Sequence, residues 1–457
     1  MTPAALIPAA LSLAFALPAA AVAQTEPWQP PTLTTTRFDE DWSHLADPAV
    51  RTGHWTEKFK YVPITTDTWM TTGVELRLRN ENFEGNQWGD LPDDGYVWLR
   101  AMPFADVHAG RLRAFVQPLA AYAISVAPGP GPIDQTRVDL LQAFAEVTLP
   151  AGDHGALIVR AGRQMLPLGT ERLVGTRYGP NVPLAFDGVR SIFHQDRATL
   201  SLFAVRPVEP GPASLDDRAS RRRSLWGSYL TVPGLDLYYL GYRNTAARFG
   251  GRDGRELRHS IGIRLFGNQA HLHWNLESVY QFGRFAGSPI SAWTLAAELG
   301  RRFPDLPLQP DATLRISLIS GDDDPADDKL GTFNALFPKG KYFGELSPVG
   351  PSNILSVNPR VTADLGHGWS ASLAGMAYWR QSTADGLYDI PGNRIRAPGA
   401  SPARFIGRQI EGALAWQATA ELELSASLSI FAPGAFIRDT GPARPIRMVG
   451  LETNFRF

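Results

Sequence analysis

The segment Glu421 to Phe431 reads "ELELSASLSIF". Leu422, Leu424, Ala426, Leu428 and Ile430 fall on one face, and Glu421, Glu423, Ser425, Ser427 and Ser429 on the other. An extended chain points successive side chains to opposite sides. Strict alternation therefore specifies a strand with one apolar and one polar face. "GVELRLRNE" (73–81), "HLHWNLESVY" (271–280) and "WSASLAGMAYWR" (369–380) repeat the pattern. So does "MVGLETNFRF", where Val449, Leu451, Thr453, Phe455 and Phe457 oppose Gly450, Glu452, Asn454 and Arg456.

Alternation alone fits a soluble sandwich as well as a membrane barrel. Three further features favour the barrel. Residues 1–23 are apolar and end in Ala21-Val22-Ala23, the pattern of a secretory signal peptide, although the leading segment carries no Lys or Arg. The 457 residues contain no cysteine, which excludes disulfides and thiolate metal sites. An amphipathic strand closing on Phe457 resembles the assembly signal by which bacterial outer-membrane barrels engage their assembly machinery. No later run approaches the ~18 apolar residues of a membrane helix, so a membrane would be crossed by strands.

Strands are expected near 73–81, 96–106, 110–121, 137–148, 156–163, 185–194, 197–206, 222–231, 234–244, 256–267, 270–282, 290–301, 312–320, 353–365, 368–380, 407–418, 421–431 and 446–457. The links alternate between tight turns ("DRAT", "PGL", "GNQ", "GHG") and long stretches such as 207–221, 321–352 and 381–406. The fold class expected is all-β: a transmembrane antiparallel β-barrel of about eighteen strands with short periplasmic turns and long extracellular loops. Its domains are a signal peptide (1–23), a periplasmic lead-in (24–72) and the barrel (73–457), placed in the bacterial outer membrane. The lead-in is too short and too aperiodic to be a separate core.

On these registers Arg77, Arg79, Arg100, Arg113, Arg160, Arg190, Arg315 and Arg380 point into the lumen, with Glu75, Glu146, Glu277 and Glu298 on the same surface. Inward guanidinium groups attract carboxylates, or they pair with the lumen acids and stiffen the wall. The net charge of −1 gives no sign of a nucleic-acid partner. His271 and His273 are expected inward as ordinary polar residues. Trp274, Trp293, Trp369, Trp379 and Trp416 are expected outward in aromatic belts. The basic run Arg221 to Arg223 sits at an outer loop end, where lipopolysaccharide phosphates are a candidate partner.

Four stretches carry a family resemblance. They are "RFDEDWSHL" with "KYVPI" and "GVELRLRNE", then "GRQMLPLGTERLVGTRYGPNVPLAFDGVR" (162–190), "SGDDDPADDKLGTFNALFPKGKYFGE" (320–345) and "WRQSTADGLYDIPGN" (379–393). Together they resemble the alginate export family of outer-membrane porins. The resemblance implies a monomeric eighteen-stranded barrel whose arginine-rich constriction passes a polyuronate.

The 320–345 stretch follows the expected thirteenth strand and is read as a gating loop through Asp322, Asp323, Asp324, Lys339 and Lys341. Its apolar part, "LGTFNALF", is too greasy for a free loop. Asp322, Asp324, Asp327 and Asp328 also raise calcium as a cofactor, although the spacing is not that of an EF-hand. No other cofactor is expected. No G-x-S-x-G, P-loop or H-E-x-x-H motif marks an enzyme. The expected function is a passive conduit for an anionic polysaccharide or another acidic solute. The alternatives are a barrel enzyme of lipase or protease type and an uptake porin for small anions.

Overall fold

Along residues 75–81, burial alternates with the period of the sequence. Glu75, Arg77, Arg79 and Glu81 are buried, while Leu76 and Leu78 are 45% and 47% exposed. A chain folded in water does the reverse. Charged groups inside and leucines outside define a polar lumen and a lipid-facing surface. This settles the choice between barrel and sandwich.

The computed structural model describes residues 30–249 and 251–457; the expected signal peptide, 1–23, lies outside the described residues. Eighteen strands form the barrel: β1 (Thr68–Glu84), β2 (Asp94–Ala109), β3 (Leu112–Ile124), β4 (Arg137–Pro150), β5 (Gly155–Gln164), β6 (Phe186–Gln195), β7 (Ala198–Glu209), β8 (Arg223–Val232), β9 (Leu235–Phe249), β10 (Arg252–Gln269), β11 (Leu272–Phe285), β12 (Ser288–Arg302), β13 (Asp311–Ile319), β14 (Ile354–Gly366), β15 (Trp369–Arg380), β16 (Phe405–Gln417), β17 (Leu422–Pro433) and β18 (Ile446–Arg456). Each is antiparallel to the next, and the sheet closes where Leu76 of β1 lies between Ala101 of β2 and Phe455 of β18. Closure leaves no unpaired edge in lipid.

Each expected strand is present, with shifted ends. β1 starts at Thr68 instead of Gly73, and β9 continues to Phe249 through a bulge after Asn244. Strand ends that project beyond the membrane have no need of lipid-facing apolar residues, so periodicity fades there. The inner turns are short. One joins Val232 to Leu235 through Pro233 and Gly234, whose φ of +80° is the left-handed value that a type II turn requires. The outer links are not uniformly long: two residues join β9 to β10, and two join β11 to β12.

Segments from both ends of the barrel fold into the lumen. The outer loop after β5 (165–185) and the outer loop after β13 (320–353) fold inward and meet: Val174 bridges Phe337 in parallel, and the Gly175 amide donates to the Phe337 carbonyl at 2.9 Å. From the periplasmic side, Phe38 of the lead-in enters a cluster with the inward rings of Phe104, Phe115 and Phe144.

Candidate functional site

Register sets the arginines in two rows. Arg77 lies beside Arg100 on β1 and β2. Arg113, Glu146, Arg160 and Arg190 form one line across β3 to β6. The early-strand arginines thus share one wall. What each one touches differs.

Arg77 and Arg100 hold a loop. Arg77 donates to the carbonyls of Tyr178 and Pro180 at 3.2 and 2.7 Å, and Arg100 donates to the same two at 3.0 and 3.1 Å. Arg100 also pairs with buried Glu75 at 2.6 Å and lies over the Tyr178 ring. The Tyr178 hydroxyl donates to Glu75 as well. Arg79 is shared by Glu81, Glu345 and Glu452 at 2.6–2.9 Å. Arg315 pairs with Glu298 at 2.8 Å. Arg380 sits at the outer end of β15, buried under Phe436, and donates to the carbonyls of Thr383, Ser401 and Ala403. It braces the loop 381–404 and does not line the passage.

The second row meets the lead-in. Arg113 is bound by Asp106 and Glu146 at 2.8 and 3.1 Å and donates to the Phe38 carbonyl. Arg160 pairs with Glu146 and lies 4.1 Å from the Phe38 ring centre. Gln142 donates to the Thr36 carbonyl at 3.2 Å. Arg37 pairs with Glu40 at 2.5 Å and donates to the Phe457 carbonyl at 2.7 Å. Lys60 donates to the Thr72 carbonyl at 2.8 Å amid the rings of Trp42, Phe104 and Phe457. Burial, with Arg37 adding repulsion, pulls this ammonium down to about 7. Thr36, Arg37, Phe38 and Lys60 therefore anchor the lead-in within the periplasmic mouth. Sequence reading placed them outside the barrel. The clue available was Phe38, an apolar residue alone between charges.

Arg190, Arg177 and Lys339 hold neither a carboxylate nor a backbone carbonyl through their side chains among the described residues. Arg190 donates to Ser201 Oγ at 2.9 Å and has no carboxylate in ion-pair range among the described residues. Arg177 and Lys339, on the two infolded loops, also lack one there. Burial, then Arg223, lowers Arg177 to about 10, so it stays charged at neutral pH. Burial, then Arg315 and Arg172, lowers Lys339 to about 8. Arg172 itself pairs with Glu277 at 3.0 Å. Arg172 and Arg177 lie within the 162–190 stretch, but alternation cannot orient a loop residue and sequence reading missed them.

The 320–353 loop divides in two. Leu330, Phe333, Ala335 and Phe337 are buried, and Phe337 packs on Phe186 and Tyr242. Lys341 pairs with Glu81 at 3.1 Å and with Glu345. Asp323, Asp324, Asp327 and Asp328 stay at the exposed rim. Asp324 and Asp327 accept from the amides of Ala326 and Lys329 and so form turns. Asp322 is drawn instead toward Asp385, whose carboxylate accepts its amide at 3.0 Å. The carboxylates whose oxygens converge among the described residues are Asp139, Asp216 and Asp217. His273 pairs with Asp311 at 3.0 Å, while His271 is exposed in the inner turn before β11. Arg223 turns into the lumen, to Glu209 and Phe337, away from the exposed Arg221 and Arg222.

Comparison with protein families matches residues 68–450 to the model described as alginate export. Comparison with curated proteins gives no match. Among solved structures, Acinetobacter baumannii OccAB1 superposes with a TM-score of 0.58 at 12% identity, covering 88% of this chain and all of that one (100%). Pseudomonas aeruginosa OccK2 (OpdF), in complex with glucuronate, gives 0.56 at 14% identity over 85% of this chain and 98% of that one. Pseudomonas aeruginosa OccK11 (OpdR) gives 0.54 at 15%, covering 85% and 96%. At such identities the likeness is one of fold.

Proposed function

From the premise that this chain belongs to the alginate export family of outer-membrane pores, we propose that it conducts acidic saccharides of the uronate class and selects them at Arg190, Arg177 and Lys339. Its location is the bacterial outer membrane, and family and fold are those of a transport pore rather than an enzyme. The observation that carries the reading is the pairing pattern. Most inward arginines already hold a carboxylate or a loop carbonyl, whereas these three cations hold neither among the described residues. A fixed charge with no internal partner in a low-dielectric passage raises the local concentration of anions. A uronate chain presents one carboxylate per sugar, so it can exchange one cation for the next without a deep trap at any single site. The glucuronate held by OccK2 is an acidic sugar of that class. Movement through such a pore follows the solute gradient.

The test is reversal potential in a planar bilayer. Arg177→Glu with Lys339→Glu should move the pore toward cation preference and slow the passage of oligouronates. Arg380→Gln should leave both unchanged. A parental anion preference in the double variant would overturn the proposal.

A further inference from the structure

The outward face of β8 to β11 carries a layered pattern that the transport reading does not use. In the middle of the wall, Leu230, Leu237, Ile263 and Ser278 lie side by side across the four strands. One step toward the outer end come Ser228, Tyr239, Ile261 and Tyr280, and then Trp226, Gly241, His259 and Phe282. These rings form one continuous belt. His259 stacks on Tyr239 and Phe282 at 5.9 and 5.2 Å and meets Trp226 edge-on at 6.5 Å. Such a belt marks the membrane–water interface.

Directly above the belt the same face turns cationic. The next row is Ser224, Arg243, Leu257 and Arg284, and beyond it stand Arg222 and Arg255. All four arginines are exposed. Their strand neighbours Leu225, Tyr242, Arg258 and Phe285 are buried in the lumen, so the arginines point away from the passage. No ion pair holds any of the four among the described residues. The acids nearby are taken: Glu256 faces inward against Arg258 at 2.6 Å, and Asp253, at the hairpin tip, is bound by Arg248 at 3.3 Å. Some outward arginines elsewhere on the rim do have acids, as in Arg447–Glu84, Arg444–Asp93 and Arg163–Asp187.

We propose that Arg222, Arg243, Arg255 and Arg284 form a docking band for the phosphate groups of an outer-leaflet glycolipid. Neighbouring strands lie about 4.8 Å apart, so Arg243 and Arg284, with Leu257 between them, stand roughly 10 Å apart. That spacing lets a headgroup bearing two phosphates engage both at once, while its acyl chains run down over Leu237, Ile263 and Leu265. The position favours a lipid over the transported polymer, because the band is at headgroup depth, is interrupted by a leucine and faces away from the lumen. Guanidinium forks suit phosphate oxygens, and the interface strengthens each pair relative to open water.

The probe is bisphosphorylated lipid A, added to the purified full-length barrel and followed by native mass spectrometry. The parent should retain it. The triple variant Arg243→Ser, Arg255→Ser and Arg284→Ser should bind about a hundredfold more weakly, from roughly fivefold per arginine. Arg408→Ser, on a distant strand, should bind as the parent does. Arg243→Ser alone, with an expected loss of roughly fivefold, carries the test if the triple variant does not assemble. Undiminished binding by these variants overturns the proposal, as does equal binding of lipid A stripped of both phosphates. Binding of inorganic phosphate as tight as that of lipid A would reduce the band to a simple anion site, and the proposal would fall. It would fall equally if the triple variant lost affinity for an acidic polysaccharide and kept it for lipid A.

Discussion

Arg100 and Arg190 face the same lumen from neighbouring parts of one wall, yet they invite opposite experiments. Arg100 is the partner of Glu75, a carboxylate with no exposed surface. Replacing Arg100 by Met should destabilise the barrel by about 3–5 kcal/mol, because one buried charge is left without its counter-charge. The midpoint of urea unfolding in detergent measures this, and a midpoint equal to the parent's would show that Tyr178 alone satisfies Glu75. Arg190→Ser should leave that midpoint nearly unmoved. Lys339 adds a pH dependence. Its ammonium, lowered to about 8, is charged below that pH and neutral above it. Anion preference should therefore decline as the pH rises from about 7 to about 9. In Lys339→Met the preference should be lower and flat across that range; a decline identical to the parent's would assign the titration to another group. The folded chain holds this proton less tightly than an unfolded one, so stability shifts the other way, rising from about pH 8 to the ordinary lysine value of 10.5. None of these distinctions was legible in the sequence. Alternation fixes which way a strand residue points, and all eight chosen arginines lie on strands at inward positions. Whether a guanidinium then meets a carboxylate depends on cross-strand register and on loops far away in the chain.

The strands are the elements that could be read, because lipid enforces their pattern one residue at a time. The infolded loops and the lead-in obey no such local rule. Residues 320–353 could be picked out only as too apolar for water; that they would pair with residues 165–185 was not visible. The lead-in could be read only as a periplasmic segment ahead of the first strand, since its burial depends on rings contributed by β2, β3 and β4. Its position makes a direct prediction. Deleting residues 30–58, or combining Arg37→Ala with Phe38→Ala, should raise single-channel conductance severalfold and leave the barrel's β-sheet circular dichroism intact. Conductance at the parental level would mean that the passage runs beside this segment and is not closed by it. The two loops remain in place in that variant, so the increase should stop short of an empty barrel's conductance.

Taken as one object, the protein is a wall whose outer surface is solved by periodicity and whose interior is solved by pairing. The two are joined at Phe457. Its amide and carbonyl bond to Val74 across the closing seam at 3.1 and 3.3 Å, and its ring lies against Trp55 and Phe59 at 5.0 and 5.3 Å. Phe457→Ala should therefore lower the yield of assembled barrel, measured as the fraction that changes mobility on heating, and should also loosen the lead-in. Parental yield with parental conductance would separate this residue from both roles. The seam has a consequence in time. Arg37 grips the Phe457 carbonyl, and that carbonyl has no settled position until the last strand has zipped onto the first. That contact cannot form in an unfinished cylinder. Each newly inserted molecule must pass through a moment when its wall is complete and this grip is not yet made, and the leak it inflicts on the cell lasts as long as one short tail takes to find one oxygen atom.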